Sequence, residues 1–254
     1  MRHPRLSRPT VLVAHGSPDP RHAAAVRELA TATGTVAAFL EFDAPHPVTV
    51  FTALSDAGHR CADLVPLLLT DAYHGRVDVP RVAREAREAT GADIRVRPTV
   101  GGTFLVPALR RTLPPCDAVV LAAAGSRDAG ALRAVREVAS ALEAEAGVPV
   151  TAAFATAADP DVAAAVRALS GYGRVAVASY FIAPGRLHDQ VVSRATAAGA
   201  VGVGPVLAGC PELAAAVTGG HSTPSAARLE GTISSAAVPI PNAHAVAAYQ
   251  PSPA

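Results

Sequence analysis

Short apolar runs alternate with amphipathic stretches along most of the chain. Residues 10–15 (TVLVAH) are nearly all apolar, as a strand buried on both faces requires. Residues 20–33 (PRHAAAVRELATAT) then read as a helix, with Asp19 placed to cap it and Pro20 in its first turn. The same pattern predicts strands over 35–42, 61–70 and 93–100 and helices over 46–59, 78–91 and 104–113. Gly58 and Gly91 stop the second and third helices. Apolar strands alternating with helices predict a parallel sheet with helices on its faces.

The pattern then restarts. Residues 116–147 (CDAVVLAAAGSRDAGALRAVREVASALEAEAG) repeat the strand, the Gly–Ser turn, the aspartate and a long helix. Strand–helix pairs recur over 150–171, 174–199 and 200–220. The chain therefore reads as α/β, with two tandem duplicated parallel-sheet domains over 9–113 and 114–218. Residues 219–254 lose the periodicity, are rich in Ser, Pro and Ala, and read as a flexible tail.

A net charge of +1 over 254 residues gives no basis for a nucleic-acid or membrane partner. All 22 basic residues are arginine. Without lysine, a P-loop and Schiff-base catalysis are both excluded. Cys61, Cys116 and Cys210 lie far apart and read as reduced, mostly buried thiols. The N-terminus lacks the apolar core expected of a signal peptide, and the uncharged stretch 195–210 is too rich in Gly and Ala for a membrane span. The expectation is a cytoplasmic protein.

In an open parallel sheet, ligands bind beyond the carboxyl ends of the strands. Three reactive residues fall at such ends: His15 after the first strand, Glu41 at the end of the second, and His74 in the loop after the third. Two imidazoles and a carboxylate suit a borderline divalent metal, and they equally suit proton abstraction. Each also has an ordinary alternative: a satisfied loop histidine for His15 and His74, a surface carboxylate for Glu41.

The duplication acts as an internal control. AHGSPD in the first half matches AAGSRD in the second, so Ala124 stands where His15 does. FLEFDAP matches FATAADP, so Thr156 stands for Glu41, and His188 falls about one residue from the place of His74. Gly125, Ser126 and Asp128 are kept, which marks them as turn and helix-start residues. Ser17 fits the same role, with no GxSxG elbow around it to make a nucleophile. His188 is a candidate to face the site from the second half. His3, His22, His46, His59, His221 and His244 are expected to be solvent-exposed, His46 staying a candidate through its nearness to Glu41.

The stretches VLVAHGSPDPR, AFLEFDAP and VPLLLTDAYHGRVDVP, with VASYFIAPGRLHDQV and CPEL in the second half, resemble the class II chelatases of the sirohydrochlorin ferrochelatase and cobaltochelatase type over residues 9–217. The resemblance implies two chelatase-like domains facing each other across a cleft, a monomer acting as a fused pseudo-dimer. It implies ATP-independent insertion of a divalent metal into a tetrapyrrole, with release of two pyrrole protons. The metal (Fe2+, Co2+ or Ni2+) is then a substrate, and no cofactor is permanently bound. His15 and His74 match the family's active-site histidines, as metal ligands and proton acceptors, and Glu41 its acidic helper. Tyr73, Arg76, Ser17 and His188 are candidates to bind the tetrapyrrole. Arg76, with Arg81 and Arg186 behind it, suits the substrate's carboxylates. A carrier that binds metal or tetrapyrrole without turnover, and a hydrolase using Ser17, are the alternatives.

Overall fold

The computed structural model describes residues 8–71 and 77–219. Its first half runs β1 (Thr10–Ala14), α1 (Pro20–Thr33), β2 (Val36–Phe39), α2 (Pro47–Asp56), β3 (Cys61–Pro66), α3 (Val79–Thr90), β4 (Asp93–Val96) and α4 (Val106–Arg111). The second half runs β5 (Ala118–Ala123), α5 (Ala129–Ala146), β6 (Val150–Phe154), α6 (Val162–Leu169), β7 (Val175–Tyr180), α7 (Arg186–Ala197), β8 (Gly202–Val203) and α8 (Pro211–Thr218). The strands form two parallel four-stranded sheets, ordered β2-β1-β3-β4 and β6-β5-β7-β8. The α/β fold and its duplication are as the sequence predicts.

Successive residues of a strand point to opposite faces, so an apolar strand feeds two cores. Val11 and Val13 enter a cluster with Phe51 and Val79, which lie on α2 and α3. Leu12 and Ala14 enter a second cluster that holds Val26 of α1, Leu109 of α4, Leu142 of α5 and Leu213 of α8. That second cluster also contains Leu121, Phe154 and Tyr180 from the other sheet. Four helices, α1, α4, α5 and α8, thus fill the space between the sheets, while α6 and α7 close the outer face of the second. The halves share one core, and both sheets belong to one compact unit.

The strands end earlier than the sequence reading: β3 stops at Pro66 rather than residue 70 and β4 at Val96 rather than residue 100. β2 ends at Phe39 rather than residue 42, because Phe42 takes a left-handed φ of 64° and turns the chain away. Glu41 therefore lies in the following loop. The cysteines are half-buried rather than buried, since each sits at the beginning of an element, where solvent still reaches. The tail lies outside the described residues.

Candidate functional site

The two copies of the turn after the first strand match in detail. Gly16 and Gly125 both have φ of 94°. A Cβ on Gly16 would stand 1.8 Å from the Glu41 carbonyl oxygen, and one on Gly125 would stand 1.9 Å from that of Thr156. Only glycine permits this approach, which brings the second loop against the first. The Glu41 N–H donates to the His15 carbonyl at 2.9 Å, and the Thr156 N–H to that of Ala124 at 3.1 Å. Ser17 Oγ accepts the Asp19 N–H at 3.1 Å, and Ser126 Oγ accepts that of Asp128 at 3.0 Å. Asp19 and Asp128 then cap α1 and α5 through the N–H groups of Arg21 and Ala131. Arg21 holds the Asp19 carboxyl down at about 2. The glycine, serine and aspartate are scaffold in both copies, and Ser17 works as a turn residue.

This turn sets His15 at the carboxyl edge of the first sheet, with its ring centroid 6.3 Å from that of Phe42. Phe42 is 63% exposed, an apolar face on the lip of the site that the sequence reading did not single out. His15 lines a cavity of about 270 Å³ in which the carboxyl edges of both sheets meet. The first half contributes His15, His22 and Leu67–Thr70, and the second half supplies a mainly apolar wall that includes Leu132, Phe154 and Ile182. Tyr180 bridges the halves: its hydroxyl accepts the Gly102 N–H at 3.0 Å and donates to the Leu69 carbonyl at 3.5 Å. Burial pushes its pKa up to about 12, so the phenol stays neutral.

His22 corrects the expectation of an exposed surface residue. It is half-buried in the first turn of α1, and its Nδ1 is buried without a hydrogen-bond partner. Desolvation holds its pKa below the usual histidine value; Asp43 opposes that shift and His15 adds to it. The sequence signal was its place one turn into a helix whose N-terminus opens on the strand end. His46 and His59 are also half-buried, which likewise corrects the expectation. Burial lowers the pKa of His46.

His188 is half-buried. It lies in the first turn of α7, because only five residues join β7 to α7 where twelve join β3 to α3. Its Nε2 is 3.3 Å from Ser179 Oγ, and its ring packs edge-on against Phe181 with centroids 5.6 Å apart. Burial lowers its pKa. His188 is not among the residues that line the cavity. Glu41 is exposed and joined to His15 through the backbone. Tyr73, His74 and Arg76 lie outside the described residues. Arg81 is engaged by Asp78 and Glu85, whereas Arg186 is exposed at the start of α7. Across the edge, Arg21 of α1 pairs with Asp189 of α7 at 2.5 Å. Among the described residues no group of three or more His, Cys, Asp or Glu could hold a metal, and no helix is long and apolar enough to cross a membrane.

Among solved structures the chain is similar to SirB from Bacillus subtilis with Fe3+, with a TM-score of 0.72 and 22% identity over 84% of this chain and 94% of that one. It is similar to the sirohydrochlorin chelatase SirB from Bacillus subtilis subspecies spizizenii in complex with cobalt, with a TM-score of 0.70 and 21% identity over 84% and 93%. It is also similar to CbiX, the terminal enzyme for biosynthesis of siroheme in denitrifying bacteria, with a TM-score of 0.59 and 22% identity over 84% and 97%. No curated protein matches the chain. The CbiX family model matches twice, over residues 9–111 and 118–219, one match for each sheet and its helices. The chain belongs to the CbiX family.

Proposed function

We propose that this protein inserts a divalent metal, Fe2+ or Co2+, into sirohydrochlorin or a related tetrapyrrole without ATP. The observation that carries the reading is the cavity: an imidazole-bearing edge of one sheet faces a mainly apolar wall of the other. Membership in the CbiX family and likeness to SirB structures with Fe3+ and with cobalt support it.

The balance of the reaction states what the site must do. One divalent ion enters the macrocycle, two pyrrole N–H bonds break, and two protons leave. His15 holds the ion through its imidazole, a single donor that binds without enclosing it, so the ion can depart into the ring. His74 is the partner ligand and proton acceptor in this reading, and Glu41 assists from the adjoining loop. Apolar groups such as Leu132, Phe154 and Ile182 suit one face of a flat macrocycle, with Phe42 at the lip. A cavity of about 270 Å³ is too small to enclose a tetrapyrrole, so its carboxylate rim stays toward solvent. There Arg76 and Arg186 are the groups to meet it. The protein acts in the cytoplasm as a monomer, its two repeats doing the work of two subunits.

The test is anaerobic incubation with sirohydrochlorin and Fe2+, Co2+ or Ni2+, followed through the visible spectrum. Insertion faster than the spontaneous reaction, with many turnovers per protein, is expected. A rate equal to the protein-free control overturns the reading. A single stoichiometric event would identify a carrier instead.

A further inference from the structure

We infer that His22 is a metal-ligating imidazole, forming with His15 a two-histidine landing site on the first repeat's wall of the cavity. The inference rests on the reading of His15 as a metal-holding group. Three observations carry it.

First, both rings line the same cavity, although they come from different elements: His15 from the turn after β1 and His22 from the first turn of α1. Second, the Nδ1 of His22 is buried with no hydrogen-bond partner. An unpaired buried polar atom carries a desolvation cost and calls for an explanation other than folding. With Nδ1 buried as the ring N–H, the lone pair left for a divalent ion is that of Nε2. Third, the duplication isolates the pair. His22 lies six residues after Gly16, and the residue six after Gly125 is Ala131. Ala124 and Ala131, the partners of His15 and His22, line the opposite wall of that cavity. Helix and turn are built equally well with alanine at both positions, so the fold explains neither imidazole. Both stand on one wall, and the space they need is left by small residues on the other.

The experiment uses the full chain and Co2+ alone, followed by equilibrium dialysis and absorption, with insertion into sirohydrochlorin measured in parallel. His22→Ala is expected to weaken Co2+ binding by at least about tenfold, the scale on which metal sites respond to loss even of supporting groups. His22→Cys is expected to keep binding and to show a thiolate-to-cobalt charge-transfer band that the wild type, with its three native cysteines, lacks. A residue that merely shaped the wall would produce no such band. Unchanged affinity in His22→Ala, or no new band in His22→Cys, overturns the inference. If the band appears but the wild type inserts no metal, the landing site stands and the chelatase reading falls. If the wild type inserts metal and His22→Cys shows no band, the reverse holds.

Discussion

The two repeats share a backbone and differ in chemistry. Strand order, the positive-φ glycines at 16 and 125, the left-handed Phe42 and Ala157, and the cis peptides before Pro45 and Pro160 all recur. Yet His15, His22 and Glu41 of the first repeat correspond to Ala124, Ala131 and Thr156 in the second. The contrast extends to the sheet interior. Asp63, 5% exposed, pairs with Thr10 on β1 and is held by Arg8, Arg95 and Arg97. Its counterpart beside Val119 on β5 is Ala176. The features common to both repeats are what the fold demands. The differences are the imidazoles and carboxylate at the carboxyl edge and, at Asp63, an alternative way of filling the sheet.

The largest expected effect breaks the repeats apart at His15. His15→Ala should slow insertion on the order of 10²–10⁴-fold, the usual contribution of a positioned acid–base group, with the melting temperature unchanged. Wild-type rates in that variant would remove the functional division between the halves. Next, Asp63→Ala should cost about 2–4 kcal/mol in urea unfolding. It strands three guanidinium groups around an emptied site, though Arg95 is 60% exposed and recovers part of its hydration. A loss under about 1 kcal/mol would mean that the alanine of β7 is as good a solution here.

Gly16→Ala and Gly125→Ala test the shared turn. Each forces a Cβ into a carbonyl oxygen and each should cost about 2–3 kcal/mol by thermal unfolding. Only the first should also depress insertion, because it displaces the His15 loop. Unequal stability losses would show that the turns are not equivalent. Ser17→Ala and Ser126→Ala should have the smallest effect, about 0.5–1 kcal/mol each, for one N–H acceptor lost. A fall in insertion confined to Ser17→Ala would place that hydroxyl on the substrate.

Comparing the halves already worked on the sequence, because insertions avoid the strand–turn–helix units. His15 and Ala124, and likewise Glu41 and Thr156, hold equivalent places in the two turns, as they do in sequence. For His188 it gives no spatial register, because the connection after the third strand differs in length between repeats. Counting residues along unequal loops carries no register. His22 was missed for another reason. A lone histidine among alanines on an amphipathic helix has the periodicity of a surface residue, and what buries it comes from elsewhere in the chain.

By itself, the sequence determined the elements, the parallel sheets, the duplication and the turn that places His15. These follow from local periodicity and from glycine, serine and aspartate at fixed offsets, all short-range physics. Only the tertiary structure decided that the repeats share one core, that β2 stops short of Glu41, and that His22 lines the same cavity as His15 while His188 packs on Ser179 and Phe181. Those outcomes depend on which faces of α1, α5 and the two sheets meet. Contacts between distant segments are set by the packing of the whole unit, and no window along the chain encodes them.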